Sequence, residues 1–139
     1  RFLTLRINFG GNIMEKQISK IEKKYQKAEE AFNNLVEDCA KFDDFLRKDN
    51  NPKPEMQLVR AYLQQYEDER VVMSEEIEYS KSQLRDLKYD FKKGLYSEAQ
   101  REEYLASEEK AVKTINAKID YFIDRLEKQS AIINDIVKQ

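Results

Sequence analysis

The sequence predicts an all-α protein: an antiparallel three-helix bundle of long coiled-coil-like helices, preceded by a short extended N-terminal segment. Three observations carry this reading. Apolar residues recur at alternating spacings of three and four along three separate runs, which is the period of a helix that buries one seam. Only 3 Gly and 2 Pro occur in 139 residues, and they fall before or between those runs. Helix-start and helix-stop signals stand at the same breaks.

The first run is Met14, Ile18, Ile21, Tyr25, Ala28, Phe32, Leu35, Cys39, Phe42 and Leu46. It predicts a helix over about 14–48 that stops before DNNPKP, where Asn50 and Asn51 favour a turn and Pro52 forbids continuation. Pro54 suits the first turn of the next helix. That helix, over about 54–94, carries Met56, Val59, Leu63, Tyr66, Arg70, Met73, Ile77, Ser80, Leu84, Leu87 and Phe91 on its seam. Gly94 falls at the next seam position and reads as its terminator, with Lys88, Lys92 and Lys93 suited to the negative end of the helix. Ser97 and Gln100 then form a capping box. The third helix, over about 97–138, has the seam Leu105, Glu108, Val112, Ile115, Ile119, Phe122, Leu126, Gln129, Ile133 and Ile136. At 1.5 Å per residue each helix is roughly 50–60 Å long. Apolar residues flanking the seams, among them Ala31, Val36, Tyr62, Ala111 and Ile123, widen each face beyond what a two-stranded rod needs and favour a helix with two neighbours.

The opening stretch, RFLTLRINFGG, follows a different period. Leu3, Leu5, Ile7 and Phe9 alternate with Thr4, Arg6 and Asn8, which predicts an extended strand over 1–13. Two readings of it stand. It is a leader or appended extension, with Met14 as a natural start; or its unpaired strand adds to the edge of a partner's sheet, with Gly10 and Gly11 as the hinge.

Composition narrows function. Charged residues make up 37% of the chain, yet the net charge is only −2, so the basic surplus that a nucleic-acid partner requires is missing. No apolar run approaches the ~20 residues that span a bilayer. Histidine is absent, which removes the commonest general base and metal ligand. With three glycines in all, there is no phosphate-cradling loop. Cys39, the single cysteine, sits on a seam and reads as a core residue. The acidic pairs around it, in EDCAKFDD, read as a solvated face, since Glu37–Lys41, Asp43–Arg47 and Asp44–Lys48 have helix i,i+4 spacing. The chain therefore reads as having no catalytic, metal or cofactor site. Three long helices resemble spectrin-type repeats in number, but tryptophan is lacking and the helices are longer; no family signature is present.

The function expected on these grounds is that of a non-enzymatic scaffold, adaptor or structural subunit that binds proteins, itself included as a homodimer. It would be intracellular and cytoplasmic, with organelle import left open. The alternative is a small helical chaperone that holds a client. Two sets of residues are candidates. Leu58, Tyr62, Val72 and Tyr79 broaden the apolar arc of the second helix beyond the core and suggest a partner surface. Arg70, a polar break in the seam, is expected level with Phe32 and Phe122 and paired with Glu29 in an ion pair that fixes register.

Overall fold

The computed structural model describes the backbone of residues 2–48 and 53–138 and the side chains of residues 14–48 and 60–138. Three helices follow one another: α1, Phe2–Lys48; α2, Lys53–Lys92; and α3, Glu98–Lys138. They pack together along their lengths, with no strand among the described residues. The turn expected at Asn50–Pro52 lies outside those residues, whereas Pro54 stands in the first turn of α2.

One expectation is corrected at the N-terminus. The backbone of residues 2–13 is helical and continuous with α1, so Leu3, Leu5, Ile7 and Phe9 belong to a helix and not to a strand; their side chains lie outside the described residues. The physical reason is backbone hydrogen bonding. A lone strand leaves its N–H and C=O groups unpaired, whereas extending an existing helix adds one bond for each residue ordered, with no new nucleation step. Two-residue alternation over so short a stretch is too weak a preference to outweigh that gain.

The other boundaries are set by capping chemistry. At the end of α2 the Leu95 amide donates to the Asp90 carbonyl at 3.2 Å and the Gly94 amide to the Phe91 carbonyl at 3.1 Å. This crossed pair is a Schellman motif, and it places Gly94 at φ +69°, a conformation that a Cβ penalises. Three residues later the predicted capping box is formed: the Ser97 amide donates to Gln100 Oε1 at 2.9 Å and the Gln100 amide to Ser97 Oγ at 3.2 Å. Stop and start signals only a few residues apart force a tight reversal.

Cross-helix contacts give the register. Lys24 donates to Asp120, and Asn134 donates to Asp38; both bonds span 96 residues, so α1 and α3 run parallel and in step. Glu76–Lys118 and Glu69–Arg125 join α2 to α3, seven residues apart on each helix but in opposite order, so α2 is antiparallel to both. The core follows the predicted seams. Ile21, Ala28 and Leu35 on α1 and Ile119, Phe122 and Leu126 on α3 are at most 1% exposed. Of the three pairs, α1 and α3 lie closest, and α2 covers them from the side with Tyr66, Met73, Ile77, Ser80 and Leu84.

Two substitutions test the reversal. Gly94→Ala meets no atom within 4 Å, so its cost is the backbone strain alone, about 1 kcal/mol; Gly94→Asn, which tolerates that region better, should cost less. Ser97→Ala should also lose about 1 kcal/mol. Urea denaturation followed by circular dichroism reads both.

Candidate interaction surface

The polar break at Arg70 shows how α2 meets the core. Its guanidinium lies 5.9 Å from the centre of the Phe32 ring, at the height expected. The predicted partner is wrong, however. Arg70 Nε donates to Glu67 at 3.0 Å, Nη2 donates to the other oxygen of the same carboxylate, and Nη1 donates to the Tyr25 hydroxyl at 3.0 Å. Glu29 is not among these partners. The reason is reach: Glu67 lies one turn back on the same helix and needs no tertiary placement, and Tyr25, a seam residue, supplies the contact across helices. The hydrogen bonds from Arg70 hold the Glu67 carboxyl below the ordinary carboxylate range. No reactive geometry results; the cluster holds α2 in place.

Cys39 is buried as predicted. Burial, with Asp43 and Asp38 adding to it, pushes its thiol from the ordinary 9.0 to about 11, so it is an unreactive packing residue. Asp38 accepts a hydrogen bond from Asn134 at 3.2 Å, while Lys41 lies 4.0 Å from it and Arg60 lies 4.0 Å from Asp43. The ion pairs thus differ from the i,i+4 set expected, because neighbouring helices offer other partners. Among the described residues no group of three or more His, Cys, Asp or Glu side chains is placed to hold a metal ion.

The candidate surface lies on the outer side of the α2–α3 pair. Tyr62, Val72 and Tyr79 are 43%, 50% and 64% exposed; neither α3 nor any other described residue covers them. The side chain of Leu58 lies outside the described residues. Val72 and Tyr79 border an open groove of about 690 Å³, with Ala111, Thr114 and Ile115 across it and Glu75 and Glu76 along its α2 edge. At this face two ion pairs tie the helices together: Lys118 Nζ lies 3.1 Å from Glu76 Oε1, and both terminal nitrogens of Arg125 donate to Glu69. Arg125 also lies 4.6 Å from the Tyr121 ring centre and 5.6 Å from that of Tyr66.

Sequence reasoning marks Tyr121 and Ile132 as apolar residues off the third seam without placing them on a surface, and it misses Arg125 altogether. Tyr121 and Ile132, both on α3, are 63% and 54% exposed, and Tyr121 stacks on Arg125, which bonds Glu69 of α2. Each is visible in the sequence as an apolar residue off the seam, but nothing local says which neighbour it faces. Arg125 looks like any surface arginine until its carboxylate and aromatic partners are placed around it.

A second concavity, of about 1210 Å³, lies where α1, the end of α2 and the start of α3 converge, lined by Ile18, Leu84 and Leu105 among polar side chains. Its charges already face one another, Glu15 against Lys88 and Glu22 against Lys81. It is a less apolar site than the α2–α3 groove.

Comparison of the chain with protein-family models, curated proteins and solved structures finds no match.

Two experiments follow. A double-mutant cycle pairing Arg70→Met with Glu67→Gln, and another pairing it with Tyr25→Phe, should each show coupling of about 0.5–1 kcal/mol, the range for half-exposed charged hydrogen bonds; the cycle with Glu29→Gln should show none. Cys39 holds its proton more tightly in the fold than in the unfolded chain. Its contribution is therefore complete below pH 9 and disappears as pH rises towards 11. Denaturation between pH 8.5 and 11 should show wild type losing about 2 kcal/mol more than Cys39→Ala over that interval.

Proposed function

We propose that this chain is a non-enzymatic helical module, a scaffold, adaptor or structural subunit, whose α2–α3 face docks other protein surfaces. The observation that carries the reading is the exposure of Val72 and Tyr79 beside an open, apolar-floored groove. Large apolar side chains scattered singly over a surface need no explanation, but an aliphatic and an aromatic side chain on one groove with a charged rim have the make-up of an interface. The ion pairs Glu69–Arg125 and Glu76–Lys118 support this reading, since they hold the two helices apart at a fixed spacing and present a preformed surface.

Other features agree. The chain has no histidine, and the polar clusters described serve packing and register. No helix among the described residues is long and apolar enough to cross a membrane. A reducing, intracellular setting goes with a lone buried thiol. Near-neutral net charge with both signs abundant suits specific protein partners better than a polyanion.

Replacing Tyr62, Val72 and Tyr79 together by Gln, Thr and Gln tests the reading. Exposed positions contribute little to folding, within about 0.5 kcal/mol each, so helicity and melting temperature should stay near wild type. Lysine crosslinking in whole cells, read by mass spectrometry, should link Lys110 and Lys118 of wild type to a second protein molecule, of this chain or another, and the variant should lose these links. A fall of many degrees in melting temperature with unchanged crosslinks would show that the strip is core and that the reading is wrong.

A further inference from the structure

The charges on the α2–α3 face are segregated by helix. On α2 the outward residues Asp68, Glu75 and Asp86 are exposed, and on α3 the outward residues Lys110, Lys118 and Lys128 are exposed, Lys118 also bonded to Glu76 across the groove and Lys128 to Asp124 one turn back on its own helix. One wall of the groove is therefore acidic and the other basic. The two helices are antiparallel, with Glu76 level with Lys118 and Glu69 level with Arg125. From these features, and resting on the docking-surface reading above, we infer that the occupant of this face is a second copy of the same chain, related by a two-fold axis parallel to the helices.

The symmetry follows from the charges. A two-fold axis that runs along the bundle just outside this face sets α2 of each copy against α3 of the other at the same height. The facing helices are then antiparallel, and acid meets base twice. Asp86 comes level with Lys110 of the second copy, Glu75 with its Lys118 and Asp68 with its Lys128. An axis perpendicular to the helices would instead lay acidic α2 on acidic α2 and basic α3 on basic α3, which repulsion disfavours. A closed two-fold contact must be self-complementary, and this face meets that condition in one orientation.

Shape agrees with charge. Tyr79 projects from α2, 64% exposed. At nearly the same height on α3, within one helical turn of the level of its pairing with α2, the surface dips over Ala117 between Lys110, Thr114, Lys118 and Tyr121. Under the two-fold axis Tyr79 of each copy enters the depression over Ala117 of the other, and Val72 comes level with Tyr121 of the second copy. The ring fills apolar space while its hydroxyl stays near the lysines of the rim, an arrangement suited to tyrosine at an interface. The face from Tyr62 to Asp86 is about 36 Å long and two helices, about 20 Å, wide, which is roughly 700 Å² per copy and close to the share of one partner in a standard interface. An amphipathic helix from another protein would fill the groove without using the outward charges of both walls.

Sedimentation equilibrium on the full chain tests this, with circular dichroism melts confirming that each variant folds. Wild type should be a dimer at roughly 100 μM, a concentration that reveals affinities well weaker than micromolar. Ala117→Arg, which fills the depression, should weaken association by at least about tenfold. The acidic-wall variant Asp68→Lys/Asp86→Lys and the basic-wall variant Lys110→Glu/Lys128→Glu, both of which leave the Glu75 and Lys118 pair unchanged, should each be monomeric alone. Mixed, they should form a one-to-one heterodimer, because each reversed wall then meets an opposite one. A monomeric wild type, or reversed chains that fail to combine while wild type dimerises, would overturn the inference. The docking-surface reading is judged separately by the Tyr62/Val72/Tyr79 variant. If wild type is monomeric and that variant keeps its melting temperature, only self-association falls and a different protein occupies the face; if the variant unfolds, both readings fall.

Discussion

Ile21, Ala28 and Leu35 on α1 and Ile119, Phe122 and Leu126 on α3 are sealed from solvent, and the parallel packing of these two helices governs the placement of the rest. Ala28, fully buried, is the smallest residue on the α1 seam and lets the backbones approach there. Parallel helices cannot be joined by a short turn. The chain must travel the full length of the bundle and return, and α2 is that return path. Its direction, its length and its place outside the α1–α3 pair all follow from the requirement that two distant seams bury each other.

Because α2 lies on the outside, its seam tolerates polar residues that α1 and α3 do not. Arg70 occupies a core-facing position but keeps its charge at the boundary, where Glu67 and Tyr25 satisfy its donors. Ser80 is buried without breaking the helix. The apolar arc of α2 is wider than one seam and is only partly used: one edge packs on the bundle, and the other, carrying Val72 and Tyr79, stays half or more open to solvent. The groove beside it lies where α2 and α3 are tied through ion pairs near the surface.

Electrostatics adds specificity more than stability. Most ion pairs here are solvent-exposed and worth little one by one. Their arrangement carries more information: Lys24–Asp120, Glu22–Lys81 and Glu69–Arg125 each join a different pair of helices. Sliding a helix by one turn would break these pairs even where the apolar seams could re-form. The same logic, turned outward, separates acid from base on the α2–α3 face and restricts which surfaces can approach it.

The three helices, their seams and the reversal at Gly94–Gln100 were all legible in the sequence, because each depends on interactions within a few residues: the 3.6-residue period, a left-handed glycine, and a serine and glutamine that cap one helix end. The core residues followed, since burial repeats that same period. The partners of side chains were not legible. Arg70 has several carboxylates within reach, and only the finished packing shows that Glu67 and Tyr25 take it while Glu29 does not. The helical course of residues 2–13 was also missed, since a weak local alternation gives way to the cooperative extension of a helix already formed. Likewise the sequence marked Tyr62, Val72 and Tyr79 as surplus to one seam, but the groove that Val72 and Tyr79 border, with Ala111, Thr114 and the charges of α3, comes into being only when α3 is set beside α2. Local chemistry determines which residues turn inward; which residues then share a surface depends on chain segments far apart in sequence, and tertiary structure alone decides that.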